Sequence, residues 1–305
     1  MSNRFVIYTV ITGGFDNVKQ PEVTDPRFDY VLFTDSYTTS EIGVWSVRII
    51  EYECKDTRQK SRFPKICPEV LLSEYEASLY IDGNVCITSQ QVYDRCVELA
   101  DQGVEWAGIK HQTRDCVYDE MNAIIGLGWV HDYHVLDWYW YLRKEDYPDH
   151  NGLFENNIIF RLHTPTVKHI KELWWWTIEK KEVKRDQFSL MYAMWKVPEV
   201  KTAFFLPESE NAWHNGGWFT CESHSSHIRV LQKSFWEKLR DRYIRMFYWD
   251  GGWEVYYTHW FDKLLKWPFP HLAMHLWTAW ILVRHDLKFL LSRVCPRLKG
   301  KRLNV

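Results

Sequence analysis

Ser78-Leu79-Tyr80-Ile81-Asp82-Gly83-Asn84 carries the two signals on which the architecture turns. Leu79, Tyr80 and Ile81 form a short apolar run of the kind that makes a buried strand. The run stops abruptly at a carboxylate, a glycine and an amide. Asp82 is therefore expected at the carboxyl end of a core strand, where open α/β sheets hold their ligands. Gly83 permits a sharp turn, so Asp82 and Asn84 can converge on one point. Two hard oxygen ligands there suit Mg²⁺ or Mn²⁺ carrying a diphosphate. The competing account is a solvent-facing Asp-Gly turn.

Elements of the same kind lie on both sides. Phe5–Thr12, Tyr30–Thr34, Trp45–Ile50 and Trp106–Ile109 read as strands, and Val92–Ala100 as a helix. This alternation predicts a mostly parallel sheet with helices on its faces. Further on, one or two helices are expected over Cys116–Leu142, broken near Gly126 and Gly128, and a strand over Asn157–Arg161. Thr166–Lys181 is amphipathic, with Thr164-Pro165 as its start signal. Gln187–Trp195 is a further helix, and a loop of about twenty residues follows Pro207.

Composition limits the function classes. The 305 residues are 46% hydrophobic and 26% charged, enough for a real core, and the net charge of −2 gives nucleic acid no basic face to bind. The 18 Trp, 17 Tyr and 16 Phe point two ways, to sugar stacking and to membrane interfaces. Seven scattered cysteines without a Cys-x-x-Cys pair argue against a zinc site and a disulfide framework, and fit a reducing compartment. Met1-Ser2-Asn3-Arg4 runs directly into a strand without a signal peptide, and no run of eighteen uncharged apolar residues occurs. The expected location is the cytoplasm.

Several polar groups are candidates for chemistry. Thr9 to Asp16 contains Gly13-Gly14 directly after the first strand, where freed amides can approach a nucleotide. Neither Gly-x-Gly-x-x-Gly nor the Walker lysine pattern is present, which excludes the usual dinucleotide and P-loop sites. Asp35 ends the second strand and suits a ribose contact, or serves as a turn residue or cap. Lys55, Arg58, Lys60, Arg62 and Lys65 form a basic run that is either a diphosphate clamp or a solvated face. Asp186 opens a helix, as a base, a sugar contact or a helix cap. Glu155, Asn156 and Asn157 precede a short strand and suit sugar hydroxyls, with a polar turn as the alternative. Arg185 joins the two amides as an acceptor contact. Among His214, His224 and His227, one can complete a metal shell with Asp82 and Asn84; His214 is the choice.

From about Phe235 the chain is helical, aromatic and basic. Leu272–Leu291 carries an apolar side and a polar side with Arg284, His285, Lys288 and Arg293. It is either packed on the main domain or laid on an anionic membrane. The expected division is a catalytic domain over 1–232 and a helical region over 233–305.

Taken in order, these motifs resemble a glycosyltransferase-like family long known as a domain of unknown function. The family includes plant mucilage- and turgor-related proteins and bacterial surface-polysaccharide enzymes. The resemblance rests on Tyr8-Thr9-x-Ile11-Thr12-Gly13-Gly14-Phe15-Asp16, Phe33-Thr34-Asp35, Arg62-Phe63-Pro64-Lys65, Ser78 to Asn84 and Arg185-Asp186-Gln187, across roughly residues 5 to 200. It implies a glycosyltransferase-A-like fold, a single mixed and mostly parallel sheet flanked by helices, with a helical C-terminal extension. It also implies a nucleotide-sugar donor and a divalent cation, Mn²⁺ or Mg²⁺. One departure stands out: Asp82-Gly83-Asn84 replaces Asp-x-Asp, removing a charge and shifting part of the neutralisation to Lys and Arg.

The expected activity is sugar transfer from a nucleotide-diphosphate donor such as a UDP-sugar to a glycan or polyprenyl-linked oligosaccharide in surface-polysaccharide synthesis. Donor contacts are expected from Thr9, Gly13, Gly14, Asp35, Arg58, Arg62, Lys65 and Asp82, catalysis from Asp186 and Glu155, and peripheral membrane docking from the C-terminal helices. Two rivals are a non-catalytic carbohydrate-binding protein and a phosphoesterase or nucleotidyltransferase using Asp82 and Asp119.

Overall fold

Phe5–Ile11 (β1) is buried at all seven positions, as its β-branched and aromatic residues demand of a strand covered on both faces. The computed structural model describes residues 4–54, 57–183 and 185–222, with scattered positions between 233 and 241. Strands follow at Phe28–Thr34 (β2), Glu41–Ile42 (β3), Trp45–Ile49 (β4), Ala77–Ile81 (β5), Val85–Ile87 (β6), Trp106–Lys110 (β7), Phe154–Leu162 (β8), Thr202–Phe204 (β9) and Phe219–Cys221 (β10). Helices are Thr57–Ile66 (α1), Pro68–Leu71 (α2), Gln91–Asp101 (α3), Val117–Leu127 (α4), Asp132–Lys144 (α5), Pro165–Glu179 (α6) and Gln187–Trp195 (α7).

Eight strands form one sheet in the order β3-β4-β2-β1-β5-β8-β7-β9, and β10 pairs with β6 in a second, two-stranded sheet. β1 is parallel to β2 and β5, with Tyr8 opposite Val31 and Tyr80. β8 runs antiparallel to both β5 and β7, and β3 antiparallel to β4. The sheet is therefore mixed and mostly parallel, flanked by helices, as the family resemblance implies.

Strand alternation sorts the two faces. Ile7, Leu32, Leu79 and Phe160 join Val92, Tyr93, Cys96 and Leu99 of α3 in one apolar cluster. Burying Val92 or Leu99 there stabilises by about 1.5–3 kcal/mol apiece. On the other face, Tyr8 meets Phe33 and Tyr80 at ring-centroid distances of 6.0 and 5.3 Å. α1 packs against β1 and α6, and α6 against α7.

The structure departs from the sequence expectations in informative places. The basic run is a helix, α1, whose Arg58, Arg62 and Lys65 fall on one side at helical spacing. β8 starts at Phe154, so Glu155 and Asn156 belong to a strand and not to a preceding turn. Its register with β7 jumps from Gly108 opposite Ile159 to Ile109 opposite Glu155, placing Asn156 and Asn157 in a bulge. The loop expected after Pro207 contains β10, with Cys221 opposite Val85. Gly128, at φ +69°, ends α4, and Thr164 caps α6 by accepting from the Val167 amide.

The chain divides into two compact units, Met1–Asp241 and Arg242–Val305. The second unit, and with it the expected helix over Leu272–Leu291, lies outside the described residues. Among the described residues no helix is long and apolar enough to cross a membrane.

Candidate active site

The parallel strands β1, β2, β5 and β7 end at one rim of the sheet, and antiparallel β8 begins there. Asp82 follows β5, and its amide donates to the Asn157 carbonyl at 2.8 Å. The Val85 amide donates to the Asp82 carbonyl at 3.0 Å, closing a tight turn over Gly83. Gly83 is required for close approach: a Cβ there would stand 3.0 Å from Ile11 Cγ1 and 3.3 Å from Asp16 Oδ2. The Tyr80 hydroxyl, two residues earlier on the same strand face, donates to Asp82 Oδ1 at 2.5 Å. Burial above all, then the charge of Asp82, pushes the Tyr80 phenol far above its ordinary value, so it remains a donor.

Lys65 is the hub of the rim. Its ammonium lies 3.4 Å from Asp82 Oδ1 and 3.0 Å from Asp186 Oδ2, over the Tyr80 ring at 4.8 Å. Its carbonyl accepts from the Tyr8 hydroxyl at 3.1 Å, and that hydroxyl in turn accepts from the fully buried Arg161. Arg62 adds a second cation 3.7 Å from Asp186 Oδ1. Side-chain exposures of 11% for Lys65, 16% for Arg62 and 15% for Asp186 rule out a solvated basic face.

Asp186 precedes α7 in helical geometry, and its side chain makes no capping bond. Its carboxylate instead faces α1. Burial pushes its pKa up, but Lys65, Arg62 and Arg185 outweigh this and hold it well below the carboxylate range. Arg185 donates to Gln187 Oε1 at 3.0 Å, lies 5.2 Å from the Trp129 ring centroid, and stands 3.7 Å from Glu120. Gln187 donates to the Phe154 carbonyl at 3.1 Å, tying α7 to β8.

Glu155 occupies the neighbouring wall, accepting from the Gln112 amide at 3.3 Å. Burial foremost, opposed by His111 and Arg114 but reinforced by Glu120, raises its pKa. Glu120 is itself buried and held by Arg114 at 2.7 Å. Asn156 is buried with neither amide atom hydrogen-bonded, and Asn157 Oδ1 is likewise unpaired.

The nucleotide side is more open. Gly13 and Gly14 have φ of +61° and +62°, and nothing lies within 4 Å of a Cβ at either. The Gly13 amide donates to Asp35 Oδ1 at 2.8 Å. Lys60 stands 3.8 Å from the other carboxylate oxygen of Asp35. Burial raises the Asp35 pKa, and the Gly13 amide, Ser36 hydroxyl and Lys60 overcome it, leaving a net lowering. Asp35 is therefore a brace between two strand ends. Thr9 is buried on the face of Ile7 and Ile11. Arg58 is exposed at the outer end of the α1 stripe.

Asn84 turns its amide nitrogen to the Glu222 carbonyl at 2.7 Å. His214 is exposed in a turn closed by Asn211, and no hydrogen bond or ion pair joins it to Asp82 or Asn84 among the described residues. His224 and His227 lie outside the described residues. Two participants had no sequence signal. Trp129 is the cation–π partner of Arg185. Cys221, brought back by β10, has its thiol pushed up to about 12 by burial and by Asp82 and Glu155. Asp119 lies on exposed helix surface, with Cys116 and His150 as its close neighbours.

Residues 1–214 match the family model described as "TOD1/MUCI70, glycosyltransferase-like domain". Comparison with curated proteins gives no match. Similar solved structures include mouse xyloside xylosyltransferase 1 in its apo form, at 7% identity, covering 66% of this chain and 84% of that chain with a TM-score of 0.37. The galactosyltransferase LgtC in complex with donor and acceptor sugar analogues is 10% identical, with coverages of 65% and 72% and a TM-score of 0.38. TarS 1-349 of S. aureus is 8% identical, with coverages of 66% and 58% and a TM-score of 0.33. Since the family model spans well over half of the 305 residues, this chain belongs to the TOD1/MUCI70 glycosyltransferase-like family, and its activity is glycosyl transfer.

Proposed function

We propose that the chain moves a sugar from a nucleotide-diphosphate donor, a UDP-sugar, to a hydroxyl of a glycan or lipid-linked oligosaccharide. The observation that carries this reading is the convergence of Arg62, Lys65, Asp82 and Asp186 where parallel strands end. Cleaving the bond between the anomeric carbon and the diphosphate builds negative charge on phosphate and positive character on the sugar. Preorganised cations stabilise that leaving group without reorganising during the reaction. Arg62 and Lys65 take this part, with Arg58 at the outer end. The nucleoside lies over Gly13-Gly14, beside the brace formed by Asp35.

A divalent cation fits the rim through Asp82 and the Asn84 oxygen, both hard ligands. Bound there, Mn²⁺ or Mg²⁺ would neutralise the diphosphate. One carboxylate and one amide make a weak cage, and the Lys65 ammonium, already bridging Asp82 and Asp186, shares the task.

The two candidate catalytic carboxylates separate by environment. Asp186, held low by its cations, remains ionised and is a weak proton acceptor; it fits a fixed negative charge near the sugar's developing cation. Glu155, raised toward neutrality, is better matched to take the proton of the attacking hydroxyl. Asn156, Asn157 and Arg185 with Trp129 form the acceptor wall, where unpaired amides suit sugar hydroxyls. Work in surface-polysaccharide synthesis, on the cytoplasmic side of a membrane through residues 268–305, completes the proposal from sequence alone.

The test is Asp82→Ala, with donor turnover, and calorimetry with UDP and Mn²⁺. Loss of transfer and of UDP affinity in a folded variant is expected. Glycan binding with no nucleotide binding in the wild type, or full turnover in the variant, would overturn the reading.

A further inference from the structure

Outside the rim, one cluster has ligand chemistry that glycosyl transfer leaves unused. The Cys116 sulfur, a carboxylate oxygen of Asp119 and a ring nitrogen of His150 all lie within 4.8 Å of one another. Cys116 is buried directly before α4, Asp119 sits in the first turn of that helix, and His150 comes from the connection between α5 and β8. Asp115 Oδ1 stands 2.8 Å from His150 Nδ1, adding a fourth protein group. His150 holds φ +52°, a left-handed backbone that a non-glycine residue adopts at a cost.

We propose that Cys116, Asp119 and His150 form a zinc site, with Asp115 beside the imidazole, that staples the connection leaving β7 to the connection entering β8. One thiolate, one imidazole and carboxylates suit Zn²⁺ and disfavour Mg²⁺ and Ca²⁺, which take oxygen sets. Tetrahedral coordination at ordinary zinc bond lengths separates ligand atoms by roughly 3.5 Å, so closure requires side-chain movement of about 1 Å. Binding converts the Cys116 thiol to thiolate and releases its proton to solvent. The role is structural. The β7–α4 connection supplies His111 and Arg114, which hold Glu120, and the α5–β8 connection leads into Glu155 and Asn156. A metal joining them fixes the acceptor wall without touching the diphosphate rim. A cysteine count without close pairs argues only against zinc sites built from paired cysteines; this one is assembled from two distant connections.

The experiment uses the full chain stripped with chelator, then titrated with Zn²⁺ and, as an optical probe, Co²⁺. One equivalent should bind, Co²⁺ should show thiolate charge-transfer absorption, and Zn²⁺ should raise the melting temperature. Cys116→Ser should abolish the charge-transfer band. His150→Asn, which tolerates the left-handed backbone, and Asp119→Asn should weaken binding at least about tenfold, and Asp115→Asn about tenfold through the imidazole. Asp82→Asn should leave all of this unchanged, separating the site from any cation at the rim. If Cys116→Ser fails to fold, the exposed His150→Asn and Asp119→Asn variants decide. Absence of the band in folded wild type, or unchanged affinity in His150→Asn, would overturn the proposal.

Discussion

Replacing Lys65 with methionine removes the cation from the centre of the rim while keeping an unbranched chain over the Tyr80 ring. At an effective dielectric of about 20, contacts of 3.0 Å to Asp186 and 3.4 Å to Asp82 each represent about 5 kcal/mol of gross attraction. Desolvation offsets most of this, and breaking such a pair leaves carboxylates facing one another, so a net loss of about 3 kcal/mol is expected. The pH dependence gives the sharper signature. The Asp186 pKa is depressed in the fold, so its stabilisation is present above the unfolded value near 3.9 and is lost as pH falls through the folded value. Lys65→Met lets that pKa rise, and Arg62 compensates only in part. The gap between wild type and variant should therefore be widest near neutral pH and shrink below about pH 4. Urea unfolding at the two pH values measures it. Turnover should drop about 10²- to 10³-fold through lost stabilisation of the departing diphosphate. A stability gap that stays constant with pH, or an unchanged turnover, would refute the reasoning.

Three other substitutions probe the surroundings. Gly83→Ala pushes a methyl to 3.0 Å from Ile11 Cγ1, and should destabilise by about 1–3 kcal/mol and weaken UDP binding; unchanged values in both would show that the turn is loose. Tyr80→Phe removes the hydroxyl held to Asp82 and should lower stability by about 1 kcal/mol and raise the donor KM; an unaltered KM would mean the hydroxyl does not orient Asp82. Glu155→Gln should lower kcat about 10²- to 10⁴-fold and remove an acid limb that, from its raised pKa, lies above the ordinary glutamate value near 4.3. A variant that keeps this limb would assign the base elsewhere.

What could be read in advance follows physical range. β1, β2 and β5 were legible because their buried positions are mostly apolar, with Thr9, Thr34 and Ser78 as buried exceptions. Asp82 was legible for the same reason, as the first polar residue after such a run. α1 was harder: its ten residues include Pro64 and four cations, and tertiary pairing with Asp35, Asp82 and Asp186 overrides weak local propensity. The start of β8 was hidden by polar residues, since Glu155 pairs with Ile109 at the head of the strand and Asn156 and Asn157 form the bulge that follows. Short β10 owes its existence to pairing with β6, far away in sequence. Thr9 was singled out in the stretch that contains Gly13-Gly14, and Asp35 as the carboxylate that ends the second strand. Thr9 lies buried within β1, and Asp35 accepts from the Gly13 amide.

The reversed direction of β8 brings a strand's beginning to the rim where its neighbours end. Asp82 arrives at the tail end of a strand, whereas Glu155, Asn156 and Asn157 arrive at the head of one, after the whole α4–α5 excursion. The β5–β8 ladder, from Ala77 opposite Leu162 to Ile81 opposite Ile158, continues in the hydrogen bond from the Asp82 amide to the Asn157 carbonyl at 2.8 Å and joins the two ends at the sheet. Insertions or deletions within α4 and α5 would thus alter the approach to Glu155 while Asp82, at the end of β5, stays in register.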